Sequence, residues 1–224
     1  MLTQSPWEYR TLFTAITKQA IKLLRSKKRP TYLIIDEVGF RKKGDQSACV
    51  GNQYLGRIGK NDNGQVAVTA AFSSDTFYCP VWMELFMPKA WQEDHWRRSK
   101  AGIPKSKTSE SKPTMALSII KSLFKKYCTD LECVVFDALY GSKIDLLYQL
   151  VNLNIPFVGD VKGRMDVYLT KPEMIIPKGS GKGRKLNKER PSICPILVQR
   201  YAKSLTKKDF TNLTVRNGTN GIIQ

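Results

Sequence analysis

Thr31-Tyr32-Leu33-Ile34-Ile35-Asp36-Glu37-Val38-Gly39 is the stretch on which the reading of this 224-residue chain turns. A short apolar run that ends in an acid and then meets a glycine suits a strand buried on both faces of a sheet. Glu132-Cys133-Val134-Val135-Phe136-Asp137 repeats the pattern and again reaches a glycine, Gly141. An ionised carboxylate beside a buried strand is costly unless it is paired or binds a cation, and open α/β sheets hold ligands at the carboxyl ends of their strands. If the two strands are neighbours, Asp36 and Asp137 stand a few ångströms apart. A hard divalent cation, Mg2+ or Mn2+, then relieves their repulsion. Taken singly, an Asp at a strand end is commonly a loop cap; the duplication points to a shared site. Strand alternation sends Glu37 to the opposite face, where it supports rather than ligates.

The flanking sequence predicts an α/β architecture. Ser5-Pro6-Trp7-Glu8 has capping-box spacing with a proline in the first turn. Tyr9, Leu12, Phe13, Ile16, Ala20, Leu23 and Leu24 follow a 3.6-residue period, so residues 5–25 read as a helix. Residues 48–58 and 65–73 read as two strands, with Asn61-Asp62-Asn63-Gly64 as the hairpin turn between them. Residues 75–111 are aromatic and charged without a sustained period, and read as an insertion with short helices. Pro113 opens a second helix whose stripe is Ala116, Leu117, Ile119, Ile120, Leu123, Phe124 and Tyr127. A helix at 142–153 and a strand at 155–161 imply a right-handed parallel crossover. In the tail, Ile193–Tyr201 and Leu213–Arg216 read as strands. Asn217-Gly218 and Asn220-Gly221 read as turns, and a further strand is expected where the sequence stops at Gln224.

Lys and Arg number 37 against 19 Asp and Glu, a net charge of +18. Such an excess speaks of partners, and polyanions are the natural ones because each cation near a phosphate releases counterions. Residues 160–224 carry 14 basic and five acidic side chains, as large an excess as the longer stretch before them. Lys182, Arg184 and Lys185, in the glycine-rich loop from Lys178 to Lys185, are placed to track phosphates. The loop is no P-loop, because Ile176 stands where its first glycine belongs. Lys42 and Lys43, in the loop that leaves the first strand and borders the aspartate pair, and Arg97 and Arg98, beside Trp91 and Trp96, are further candidate contacts to a nucleic-acid backbone, with an aromatic stacking on a base.

Several classes are excluded. An apolar content of 42% argues against wholesale disorder. No apolar run is long enough for a membrane span, and MLTQSPWEYR lacks a secretory signal. Five scattered cysteines without a CxxC pair indicate a reducing compartment rather than a disulfide framework or zinc ribbon. His95 is the single histidine, which removes multi-histidine metal sites, and it reads as structural.

Leu33 to Gly44, with Asp36-Glu37-Val38-Gly39-Phe40-Arg41-Lys42-Lys43-Gly44 at its centre, resembles the first acidic box of the DDE transposases of bacterial insertion sequences. Gln53-Tyr54-Leu55-Gly56-Arg57-Ile58-Gly59-Lys60 and Asn63-Gly64-Gln65-Val66-Ala67-Val68 are similar to that family's hairpin. Trp96-Arg97-Arg98, Lys100-Ala101-Gly102-Ile103-Pro104 and Lys112-Pro113 look like its next segment. Asp137-Ala138-Leu139-Tyr140-Gly141 resembles the second box, D-x-x-Y-G. The resemblance runs from about Ser5 to Asp160.

It implies an RNase H-like mixed sheet flanked by helices, with Asp36 on the first strand and Asp137 on the fourth, beside it, both as catalytic residues and metal ligands. The domains it implies are a helix at 1–30 packing on the core, a catalytic core at 31–161 interrupted at 75–111, and an incomplete basic β-rich part at 162–224. The implied reaction is Mg2+- or Mn2+-dependent hydrolysis of a phosphodiester at an element's end, followed by attack of the freed 3′-hydroxyl on target DNA. The implied partners are insertion-sequence ends, target DNA and a second copy of the chain, with no membrane, in the cytoplasm and nucleoid of a bacterium. The family's third ligand is a Glu on a helix beyond the last core strand. From residue 160 onward only Asp160, Asp166, Glu173, Glu189 and Asp209 are acidic, and none matches it. The expectation is therefore a truncated reading frame. The rival readings are a catalytically dead DNA-binding fragment and an RNase H-like nuclease of RNA processing or repair.

Overall fold

The computed structural model describes residues 8–27, 30–75, 77–177 and 187–209, and the backbone of 216–218 and 221–223. The chain divides into two units, Met1–Asp160 and Val161–Gln224.

A six-stranded sheet organises the first unit. Its central strand, β1 (Tyr32–Arg41), runs antiparallel to β3 (Lys60–Ser73) along its whole length, from Tyr32 opposite Ser73 to Arg41 opposite Gly64. On its other side the first four residues of β1 pair in parallel with β5 (Cys133–Phe136), which pairs in parallel with β6 (Phe157–Gly159). β3 also pairs with β2 (Gly51–Leu55) and β4 (Tyr78–Leu85).

Alternation sorts the side chains. Leu33, Ile35, Val134 and Phe136 are buried with Val68, Ala70 and Phe72 under two helices. In α1 (Tyr9–Lys27), Thr17, Ala20, Ile21 and Leu24 make the buried stripe. The capping box expected before it lies outside the described residues. α4 (Lys112–Tyr127) starts at Ser111, whose hydroxyl accepts from the Thr114 N–H, with Pro113 in the first turn. It buries Met115, Ala116, Ile119, Ile120, Leu123, Phe124 and Tyr127, so the expected stripe gains Met115 and leaves Leu117 half-buried. α5 (Ala138–Gly141) and α6 (Ile144–Asn152) connect β5 to β6.

Three boundaries differ from the expectations. β1 does not end at Asp36 but continues to Arg41, because its pairing with β3 outlasts its pairing with β5. Asn61–Gly64 lie inside β3, and the hairpin turns instead through Gly56–Ile58 and Gly59, whose φ of 65° suits glycine. The stretch 75–111 does contain short helices, α2 (Lys89–Glu93) and α3 (His95–Lys100), but it begins with β4, a full sheet strand. Pro80 hid that strand. It is tolerated because the register with β3 slips beside it, passing from Ala70–Trp82 to Ala71–Pro80.

In the second unit, β7 (Asp166–Val167) pairs with β10 (Ile196–Leu197), and β8 (Met174–Ile175) with β9 (Arg190–Pro191), all antiparallel. Ile193–Tyr201 is not one strand: β10 gives way to the helix α7 (Val198–Ser204). β11 (Arg216–Gly218) pairs with β12 (Gly221–Ile223), the strand expected near the end of the sequence. Among the described residues of this unit, no side chain is fully buried.

Candidate active site

Each parallel strand delivers one aspartate at its carboxyl end. The β1–β5 register pairs Ile35 with Phe136, so Asp36 and Asp137 come next on strands about 4.8 Å apart. The β5–β6 register pairs Phe136 with Gly159, which puts Asp160 in the same row. Alternation then decides the side. Ile34 and Asp36, Val135 and Asp137, and Val158 and Asp160 all share the face opposite the buried Leu33, Ile35, Val134 and Phe136. On that open face the three aspartates are exposed, and Val158 is 62% exposed. Together they line one shallow cleft of about 260 Å3.

Local bonds orient the carboxylates. Asp36 Oδ1 accepts from the Glu37 N–H at 2.7 Å. Asp137 caps α5: its Oδ1 accepts from the Leu139 N–H at 2.9 Å, and its carbonyl from the Gly141 N–H at 2.8 Å. Gly141 has to be glycine, because a side-chain carbon there would strike the Asp160 carbonyl. Among the described residues, neither Asp36 nor Asp137 forms an ion pair. Exposed, side by side and offering only oxygen donors, they fit a hard divalent cation. Among the described residues no group of three His, Cys, Asp or Glu side chains is close enough to hold a metal.

Beneath the pair, on the covered side of the sheet, Glu37 forms an ion pair with Lys112 at 3.1 Å, both largely buried. The fully buried Tyr140 places its hydroxyl in the same region. Burial first, and then the charges of Glu37, Asp137 and Asp36, push its pKa well above the ordinary tyrosine value. Neither the Tyr140 hydroxyl nor Glu37 Oε1 completes a hydrogen bond of good geometry.

Other candidates fall elsewhere. Lys42 and Lys43 do not border the carboxylates: they lie six and seven residues further along the chain, about 20 Å away at the rise of a strand. The Lys42 backbone is held there by both the carbonyl and the side-chain amide of Asn63. Arg98 also needs correction. It is 5% exposed, and its guanidinium donates to the carbonyls of Pro104 at 3.0 Å and of Lys107 at 2.6 Å, which removes it from any phosphate. Trp91 is buried beside Val50, to whose carbonyl its indole N–H donates at 2.7 Å. Arg97 lies over the Trp91 ring at 4.0 Å and donates to the Asp45 carbonyl at 2.6 Å. Trp96 is 72% exposed, with Lys100 over its ring, and His95 is exposed at the start of α3. Lys182, Arg184 and Lys185 lie outside the described residues.

Two residues named in the sequence reading were not assigned to the site there. Asp160 repeats the signature of an acid after an apolar run, in Phe157-Val158-Gly159-Asp160, weakened by its glycine. Tyr140 stands three residues after Asp137, a helical spacing that turns it to the covered side.

A central strand with antiparallel neighbours on one side, two parallel strands on the other and aspartates at the shared carboxyl edge is an RNase H-like sheet. The chain belongs to the DDE superfamily endonucleases, whose family model matches residues 1–222. It is similar to a probable transposase for insertion sequence element IS701 of Microchaete diplosiphon. The two are 37% identical over 160 residues, 70% of this chain and 38% of the relative, so the chain spans about two fifths of that relative's length. A fainter likeness joins it to the Mos1 mariner paired end complex with Mn. There the TM-score is 0.28 and the identity 12%, over 69% of this chain and 43% of the other. No helix among the described residues is long and apolar enough to cross a membrane.

Proposed function

We propose that this chain carries the two-aspartate part of a transposase active site that cuts and joins DNA at insertion-sequence ends with divalent cations. The observation that carries the reading is the alignment of Asp36 and Asp137 in one exposed row of a parallel sheet edge. Asp36 and Asp137 would hold Mg2+ or Mn2+, which lowers the pKa of an attacking water and neutralises the leaving oxygen in phosphodiester cleavage. The chain's own residues fix the two carboxylates: the Glu37 N–H orients Asp36, and the α5 turn orients Asp137. The net charge of +18 supports a DNA partner, and Lys42, Lys43, Arg97, Lys182, Arg184 and Lys185 remain candidate backbone contacts. A pair of copies on two DNA ends, in a bacterial cytoplasm and on its nucleoid, completes the reading.

The lack of a third described ligand beside the pair favours a second reading, in which the chain binds DNA and metal without cutting. One experiment tests both. End-labelled inverted-repeat DNA with Mg2+ is given to the chain and to a version extended to its relative's length. The first reading expects Mg2+-dependent nicking that Asp36→Asn and Asp137→Asn abolish while salt-sensitive DNA binding persists. Binding without nicking by either version leaves the second reading standing and sinks the first.

A further inference from the structure

Three motif positions that the proposed chemistry does not use converge beneath it. Glu37 comes from the first acidic box, Lys112 from the segment before α4, and Tyr140 from the second box. Each belongs to a different element, yet Lys112 pairs with Glu37 at 3.1 Å, and Tyr140 is buried in the core beneath both aspartate-bearing strands, its ring 6.4 Å from that of Phe136. A buried ion pair is poor evidence for stability, since well-packed apolar groups of the same volume usually serve as well or better. The Tyr140 hydroxyl, wholly buried without a well-formed partner, costs stability too. A polar cluster with that liability is better explained by geometry than by folding.

The connections give that geometry. Glu37 is joined by one peptide to Asp36, whose Oδ1 accepts the Glu37 N–H. Tyr140 sits on the single turn that Asp137 caps, and its own N–H donates to the Asp137 carbonyl at 3.2 Å. Fixing Glu37 therefore fixes Asp36 from behind, and fixing Tyr140 fixes Asp137.

We infer that Lys112, Glu37 and Tyr140 form a tie on the covered face of the sheet that sets the separation of Asp36 and Asp137 and so the affinity of the metal between them. They are positioning residues and touch neither metal nor substrate. The inference rests on the reading of Asp36 and Asp137 as ligands and adds what holds them at the working distance. Groups that orient metal ligands typically change affinity by about 10- to 100-fold when removed.

The test measures Mn2+ binding by the whole chain, following the electron paramagnetic resonance signal of free Mn2+, together with thermal unfolding of each variant. Glu37→Gln is expected to weaken Mn2+ binding about tenfold, and Lys112→Met and Tyr140→Phe at least about threefold. The double variant of Glu37→Gln with Tyr140→Phe is expected to bind no worse than Glu37→Gln alone, since both act through one tie. A purely structural role would move the unfolding midpoint and leave Mn2+ affinity in place. Tyr140→Phe keeps the ring that fills the core, and it carries the test should Glu37→Gln fail to fold.

Asp137→Asn separates the two levels of the argument. Binding that Asp137→Asn abolishes but that stays within twofold in Tyr140→Phe and Glu37→Gln would overturn the tie and leave the ligand assignment standing. Absence of Mn2+ binding by the unaltered chain would overturn both. Fully additive losses in the double variant would overturn the tie alone.

Discussion

The two ends of this sheet treat charge in opposite ways. At the parallel end, Asp36, Asp137 and Asp160 stand exposed in one row, with only backbone N–H groups to orient the first two. At the antiparallel end the chain takes a full positive charge inside: Arg98 is buried and held by the carbonyls of Pro104 and Lys107, close to Trp91 in its small core. A buried charge must be met by the protein itself. An exposed cluster of like charges is met by whatever binds there. The contrast separates a residue type that looks functional from a place that is open to a ligand. Arg98 and Trp91 have the chemistry of a DNA contact but the surroundings of a structural rivet, whereas the aspartates have both chemistry and access.

The comparison can be broken in order of effect. Asp36→Asn or Asp137→Asn should lower Mg2+-dependent cleavage by at least about 10³-fold, equivalent to about 4 kcal/mol of transition-state stabilisation. Removing one of two adjacent like charges should leave the unfolding midpoint unchanged or raised. Gel assays of end-labelled DNA, paired with thermal melts, check both. A variant that loses its fold along with its activity would erase the distinction between the two ends. Arg98→Met should do the reverse. By stranding the Pro104 and Lys107 carbonyls it should cost about 2–4 kcal/mol of stability, visible as a lower urea midpoint, with Mn2+ affinity unaltered. Arg98→Lys should recover part of that loss, because one ammonium cannot reproduce the planar fork. Trp91→Phe, which keeps the ring but drops the bond to the Val50 carbonyl, should cost about 1–2 kcal/mol in the same measurement. Lys43→Gln is the smallest case. It should leave stability in place and reduce the salt slope of DNA binding by about one.

Much of this layout was legible in the sequence, and the losses have physical causes. The strands bearing Asp36 and Asp137 announce themselves through unbroken apolar runs, but the expected burial on both faces does not hold: Leu33, Ile35, Val134 and Phe136 are covered, whereas Ile34 and Val135 on the open face are half-buried. α4 does so through its stripe and the proline, Pro113, at its start. What failed was punctuation. Asn61-Asp62-Asn63-Gly64 has turn composition, yet its residues pair with β2, and Asn63 holds the Lys42 loop through its side chain. Pro80 made β4 look like a loop, and a slip in register accommodates it. The extent of β1 was hidden because Glu37 to Arg41 pair on one side only, and such one-sided stretches tolerate charge. That misreading moved Lys42 and Lys43 beside the site in the sequence account and about 20 Å from it in the fold. The burial of Arg98 had no local sign: its carbonyl partners belong to a loop whose path no periodicity reveals.

The central claim is that Asp36 and Asp137 hold one divalent cation between them. The most direct measurement is a crystal of the chain soaked in Mn2+, with the metal located by anomalous scattering. The account predicts a peak on the open face of the sheet, bonded to at least one carboxylate oxygen from each aspartate. A peak bonded to only one of them, or to neither, would contradict it.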